Sequence, residues 1–217
     1  MISVLIADDH RMVAEGLGHL LESHPDFKVL ECVGDGVEAI RVAQDLHPDI
    51  VLMDNSMPRI NGIEAMREIL DRCPGTRVII LSMYTDTVHV RRAFEAGAMG
   101  YLDKKSVGGE VVEAIRVVHS GRRFTSPELS DQILDVLSGG PGAVDQLGLL
   151  SARERQVLQM MAEGQSMGSI AETLMLSPKT VETYRARIMA KLGIHDLAGL
   201  VRFAIREGLV ILDKRSL

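Results

Sequence analysis

The chain has 217 residues, room for one large or two small domains, and it is 46% hydrophobic with no Trp, so its core is aliphatic. No stretch approaches the roughly 18 unbroken apolar residues of a membrane span, and no basic region precedes an apolar one at the start, so a cytoplasmic protein without a membrane role is expected. The net charge of −6 is uneven: residues 1–120 hold 12 Lys+Arg against 19 Asp+Glu and residues 150–217 hold 10 against 7, which suggests two domains with different partners.

Over residues 1–120, apolar runs at Ile2–Ala7, Val29–Val33, Ile50–Met53, Val78–Leu81 and Gly100–Leu102 alternate with amphipathic stretches near 11–23, 36–46, 61–72, 86–96 and 107–120. Short β-branched runs alternating with helices of that length predict βαβ units and a five-stranded, doubly wound parallel sheet of α/β class. Ligands of such sheets sit beyond the carboxyl ends of the strands, where strand order reverses. Asp8 and Asp9 follow the first run and Asp54 follows the third, so three carboxylates are expected at one sheet edge. Carboxylates so close repel, and a hard cation such as Mg²⁺ offsets that charge while also engaging phosphate oxygens. The competing use of these aspartates is as helix N-caps. Cys32 and Cys73 make neither a CxxC nor a zinc pattern and are expected to be ordinary buried thiols.

Residues 121–149 change character. Thr125-Ser126-Pro127-Glu128 has the form of a helix start, with a hydroxyl cap and an early proline, and Asp131–Leu137 continues it. Ser138-Gly139-Gly140-Pro141-Gly142 then reads as a flexible linker.

Residues 150–217 form an all-α unit. Ser151-Ala152-Arg153-Glu154 fits a capping box ahead of the first helix. A second helix is predicted over Met167–Leu174, a third from Ser177-Pro178 to about Lys191, and a fourth over Leu197–Glu207, stopping at Gly208. Four short helices with tight turns suit a helix-turn-helix unit.

Asp8-Asp9, Asp54 followed by Met57-Pro58 and Gly62, Leu81-Ser82, and Gly100-Tyr101-Leu102-Asp103-Lys104 together resemble the receiver domain of bacterial two-component response regulators, with its flavodoxin-like fold, over residues 1 to about 120. The resemblance implies that Asp54 is the phosphoacceptor for a sensor histidine kinase. It implies that Asp8, Asp9, Asp54 and the Ser56 backbone carbonyl hold Mg²⁺, that Lys104 pairs with a phosphoryl oxygen, and that Ser82 and Tyr101 form the switch. An aspartate-nucleophile phosphatase of the haloacid dehalogenase type carries a second acid two residues after its nucleophile, and here that position is Ser56.

Leu150–Leu158, Ala162-Glu163-Gly164, Ile170-Ala171, Leu176-Ser177-Pro178-Lys179-Thr180-Val181 and Lys191-Leu192-Gly193 resemble a LuxR-type helix-turn-helix, which with the receiver is the NarL/FixJ class. The second helix of such a motif enters the major groove. On a helical period Glu182, Thr183 and Ala186 face outward, and Val181, Ile188 and Leu192 face the core. Glu182 and Thr183 are then placed to read bases, and Lys179, Tyr184, Arg185, Arg187 and Lys191 to meet phosphates, with Thr180 beside them. Met167-Gly168-Ser169 departs from the polar triplet common there. The resemblance further implies dimerisation on phosphorylation or DNA binding through the stripe Leu197, Leu200, Val201 and Ala204, which also has the form of a core face. The other reading is a phosphorylation-independent DNA-binding regulator with an inert receiver.

Overall fold

The structure is a computed structural model, and it describes residues 1–85, 87–126, 129, 146–207 and 209–210, with nothing assigned to the Arg206 side chain. The chain divides into two compact units, Met1–Gly140 and Pro141–Leu217.

The first unit alternates β1 (Ile2–Ala7), α1 (Arg11–Glu22), β2 (Phe27–Val33), α2 (Gly36–Leu46), β3 (Ile50–Asp54), α3 (Gly62–Arg72), β4 (Arg77–Ser82), α4 (Thr87–Glu95), β5 (Gly100–Asp103) and α5 (Val107–His119). All strand pairs are parallel, in the order β2-β1-β3-β4-β5 with Phe124–Thr125 (β6) beyond β5, so the order reverses between β1 and β3. β1, β3 and β4 are buried almost throughout, as continuous aliphatic runs require. Their side chains split into two cores. Val4, Ile6, Leu52 and Ile79 pack with α1 and α5 residues, and Leu5, Val51, Met53 and Ile80 pack with α2, α3 and α4 residues.

Two expectations are corrected here. The sheet has a sixth strand, β6 (Phe124–Thr125), paired with Gly100 and Tyr101, one more than the five expected. The free edge of β5 offers backbone partners to Phe124 and Thr125, and the chain then turns at Ser126, whose carbonyl accepts the Leu129 amide at 2.9 Å. The expected helix over Asp131–Leu137 and the Ser138–Gly142 linker lie outside the described residues. Cys73 is buried but Cys32 is exposed, because β2 is an edge strand buried only at its two ends.

The second unit contains a short 3₁₀ turn (Leu147–Leu149) and then α6 (Ala152–Ala162), α7 (Met167–Thr173), α8 (Pro178–Leu192) and α9 (Leu197–Arg206). Each helix starts on a side-chain cap: Ser151, Ser166, Ser177 and Asp196 accept from Glu154, Ser169, Thr180 and Gly199 amides. Ser151 and Glu154 complete the expected capping box, and α8 ends on Gly193 at φ 65°. Val157, Leu158, Ile170, Val181, Ile188, Leu200, Phe203 and Ala204 form its core. No helix among the described residues is long and apolar enough to cross a membrane.

Candidate phosphoacceptor site and nucleic-acid interface

The carboxyl ends of β1 and β3, on either side of the strand-order reversal, bring Asp8 and Asp54 together at 2% and 1% exposure. Neither is a helix cap. His10 occupies the cap position of α1, and Asn61 caps α3 by accepting from the Glu64 amide. Asp8 instead accepts the His10 amide at 2.9 Å, and Asp54 accepts the Ser56 amide at 3.0 Å, which fixes one oxygen of each. Lys104, one residue beyond β5, places Nζ 2.7 Å from Asp54 Oδ2 and 2.8 Å from Asp8 Oδ2. Its neighbour Lys105 is exposed.

Burial pushes the Asp54 carboxyl above the usual carboxylate range, the Lys104 ammonium and the Ser56 amide pull it back, and the Asp9 charge adds to the rise. Ligand atoms of Asp8, Asp9, His10 and Asp54 all lie within 4.8 Å of one another. Three carboxylates at this spacing fit a hard divalent cation. His10, a member of the cluster not expected from the sequence, places Nδ1 2.8 Å from Asp9 Oδ1; its position directly after the two acids is the signal for it.

Gly62 explains the close packing beneath the site. A Cβ there would lie 2.1 Å from the Asp54 carbonyl oxygen, so only glycine lets α3 start against β3. The β3–α3 loop carries Arg59 at φ 69°, ion-paired to Asp35, the cap of α2.

Ser82 ends β4 next to Asp103 and is fully buried, with its hydroxyl accepting the Tyr84 amide at 3.1 Å. Tyr101 is fully buried too, and its hydroxyl donates to the Tyr84 carbonyl at 2.6 Å. The two expected switch residues thus hold the same residue of the β4–α4 loop.

In the second unit, Lys179, Glu182, Thr183, Ala186 and Arg187 of α8 are exposed, and Thr180, Tyr184 and Arg185 are half-buried. Ser177, Lys179, Thr180, Thr183, Tyr184 and Arg187 line a concavity of about 320 Å³. Glu182 pairs with Arg185 at 3.3 Å. Lys191 donates to Glu154 at 2.6 Å, so its ammonium serves the α6–α8 junction, a demand its sequence position does not announce. The α9 stripe divides: Leu200 and Ala204 are fully buried and serve as the core face the stripe was expected to include, whereas Leu197 is 48% exposed and Val201 half-buried.

These two sites are those of a signalling receiver and a DNA-binding unit. The family described as "Response regulator receiver domain" matches residues 4–116, and "Bacterial regulatory proteins, luxR family" matches residues 148–204. The chain belongs to the two-component response regulators of the NarL/FixJ class. It is 38% identical over 209 residues to the response regulator UvrY of Escherichia coli K12, covering 96% of each chain. It is 38% identical over 211 residues to the response regulator GacA of Pseudomonas aeruginosa, covering 97% of this chain and 98% of that one. The structure of the response regulator RcsB in complex with DNA is similar at a TM-score of 0.59 and 25% identity, over 95% of this chain and 98% of that one. The protein is a DNA-binding transcription regulator of a two-component system.

Proposed function

We propose that a sensor histidine kinase phosphorylates Asp54, and that this phosphorylation controls binding of α8 to promoter DNA in the cytoplasm. The observation that carries the reading is the Lys104 ammonium shared between Asp54 and Asp8 in a buried acidic site. An Asp54 oxygen bonds to phosphorus as the phosphorus–nitrogen bond of the kinase phosphohistidine breaks. The imidazole nitrogen leaves with the electron pair and takes a proton from water. Asp8, Asp9, Asp54 and the Ser56 carbonyl would hold Mg²⁺, which supplies screening of the converging negative charges. Lys104 moves from its two carboxylates onto a phosphoryl oxygen, and the Ser82 hydroxyl exchanges the Tyr84 amide for another. Tyr101, bonded to the same Tyr84, follows. The receiver acts as a signal acceptor and not as a metabolic enzyme.

In the DNA-bound state Lys179, Arg185 and Arg187 meet phosphates, Thr180 and Tyr184 flank them, and Glu182, Thr183 and Ala186 face the bases. Lys191 meets a phosphate through donors left over from its bond to Glu154. Phosphorylated chains pair as homodimers, with Leu197 and Val201 as the exposed part of the α9 stripe. The test is Asp54→Asn treated with acetyl phosphate and Mg²⁺. The reading predicts loss of labelling and of every phosphodonor effect on DNA binding and dimerisation. A variant that still responds removes it in favour of an inert receiver.

A further inference from the structure

Ser126 is a buried polar residue that the phosphorylation chemistry does not use. It is fully buried, and each of its groups is committed. Its amide donates to the Tyr101 carbonyl at 3.2 Å, its hydroxyl oxygen accepts the Asp103 amide at 3.2 Å, and the hydroxyl proton goes to Glu110 on α5. The Phe124 amide donates to the Met99 carbonyl at 3.0 Å, so the segment after α5 is fastened along the whole of β5. Leu129 is fully buried in the core that holds Tyr101, Val90 and Phe94.

β5 carries the switch tyrosine and leads into Lys104, whose ammonium contacts the phosphoacceptor. The residues fastened to β5 are the first of the segment leading to the DNA-binding unit. One hydroxyl therefore joins the strand that feels the phosphoryl group to the chain that must carry the signal. A buried hydroxyl must be satisfied, and here its partners come from β5 and from α5, so it ties both elements to the segment that follows α5.

We propose that β6 is a latch on the signalling strand, and that Ser126 is the positioning residue through which phosphorylation of Asp54 reaches the DNA-binding unit. The inference rests on Asp54 being the phosphoacceptor. A phosphoryl group gives Lys104 and Ser82 a fixed acceptor, β5 opens less often, and the amides paired across β5 and β6 become better protected. Loss of the Ser126 hydroxyl uncouples that gain from the output while leaving the phosphoacceptor site intact.

The experiment uses the full chain, with and without acetyl phosphate and Mg²⁺. Intact mass reports phosphorylation, hydrogen exchange reports the Phe124 and Ser126 amides, and retention reports affinity for genomic fragments selected by the phosphorylated wild-type protein. Exchange at the two amides should slow by about fivefold or more on phosphorylation. Ser126→Ala should gain the same phosphoryl mass but lose about fivefold or more of the phosphorylation-dependent rise in DNA retention. Glu110→Gln, which weakens the latch from half-buried Glu110 on α5, should lose part of it. Phosphorylated protein with unchanged exchange at both amides, or a Glu110→Gln and a Ser126→Ala protein that respond like wild type, overturns the latch. Failure to gain mass at all is a different result: it removes the phosphoacceptor reading, and the latch with it.

Discussion

Lys104 and Asp54 form a buried pair at 2.7 Å, and the same ammonium lies 2.8 Å from Asp8, so one cation offsets two carboxylates that both lack solvent. This sharing makes the site both costly and responsive. Removing one partner of a buried ion pair leaves an uncompensated charge, at a cost of about 3–5 kcal/mol. Lys104→Met should therefore lower the stability of the first unit by about 3 kcal/mol in urea unfolding and abolish acetyl phosphate labelling. A variant as stable as wild type would show that the pair carries little.

Asp54→Asn should do the opposite to stability. Burial raises the Asp54 carboxyl in the folded protein, so its ionised form opposes folding at neutral pH, and that penalty fades as pH falls through the raised value. Replacing the charge by a neutral amide should add about 1 kcal/mol at pH 7, a shift of a few degrees in the thermal midpoint, with the gain shrinking toward acid pH. A midpoint below that of wild type at pH 7 contradicts this.

Gly62 tests how tightly α3 is set against the phosphoacceptor. The added methyl of Gly62→Ala meets the Asp54 carbonyl oxygen at 2.1 Å, so helix or strand must move. The expected result is a loss of about 1–3 kcal/mol together with slower labelling of Asp54. Labelling at the wild-type rate would show that the site tolerates the displacement.

The architecture of the first unit was largely legible in the sequence. Five strands and five helices begin and end within about two residues of their apolar runs, because strands buried on both faces leave an unmistakable pattern. Local pattern failed where tertiary partners decide. Phe124 and Thr125 make no strand-length apolar run, yet they pair with the edge of β5. Cys32 has the form of a core thiol, yet β2 is an edge. Lys191 lies on the recognition helix, yet Glu154, 37 residues earlier, holds its ammonium. No spacing rule reports a pairing of that range.

That pairing yields a prediction with a defined sign. Burial alone would raise the Glu154 carboxyl, but the Lys191 hydrogen bond, two bonds at Ser151 and the Lys191 charge together hold it below the usual glutamate range. A lowered carboxylate contributes stability that is complete above its unfolded value and is lost as pH falls through the folded value. The second unit should lose stability between those two values, and Lys191→Met should lose most of that acid dependence. By contrast, Lys179→Ala and Arg187→Ala should leave stability unchanged and each reduce the salt slope of DNA binding by about one. Equal effects of all three on DNA affinity alone would contradict the division.

Gly168, 2 residues into α7, has an open face: an added Cβ would meet only the Ser166 hydroxyl at 3.9 Å. Gly168→Ala should stabilise the second unit by about 0.5–1 kcal/mol in urea unfolding, and a loss of stability would show that the position needs glycine.

The most direct measurement is DNA binding by wild type and Asp54→Asn, titrated with and without acetyl phosphate and Mg²⁺, with intact mass read on the same samples. The account predicts that only the wild-type protein gains a phosphoryl group and that only it binds DNA more tightly after treatment. Equal tightening in both proteins, or none in a wild-type protein fully phosphorylated on Asp54, would contradict it.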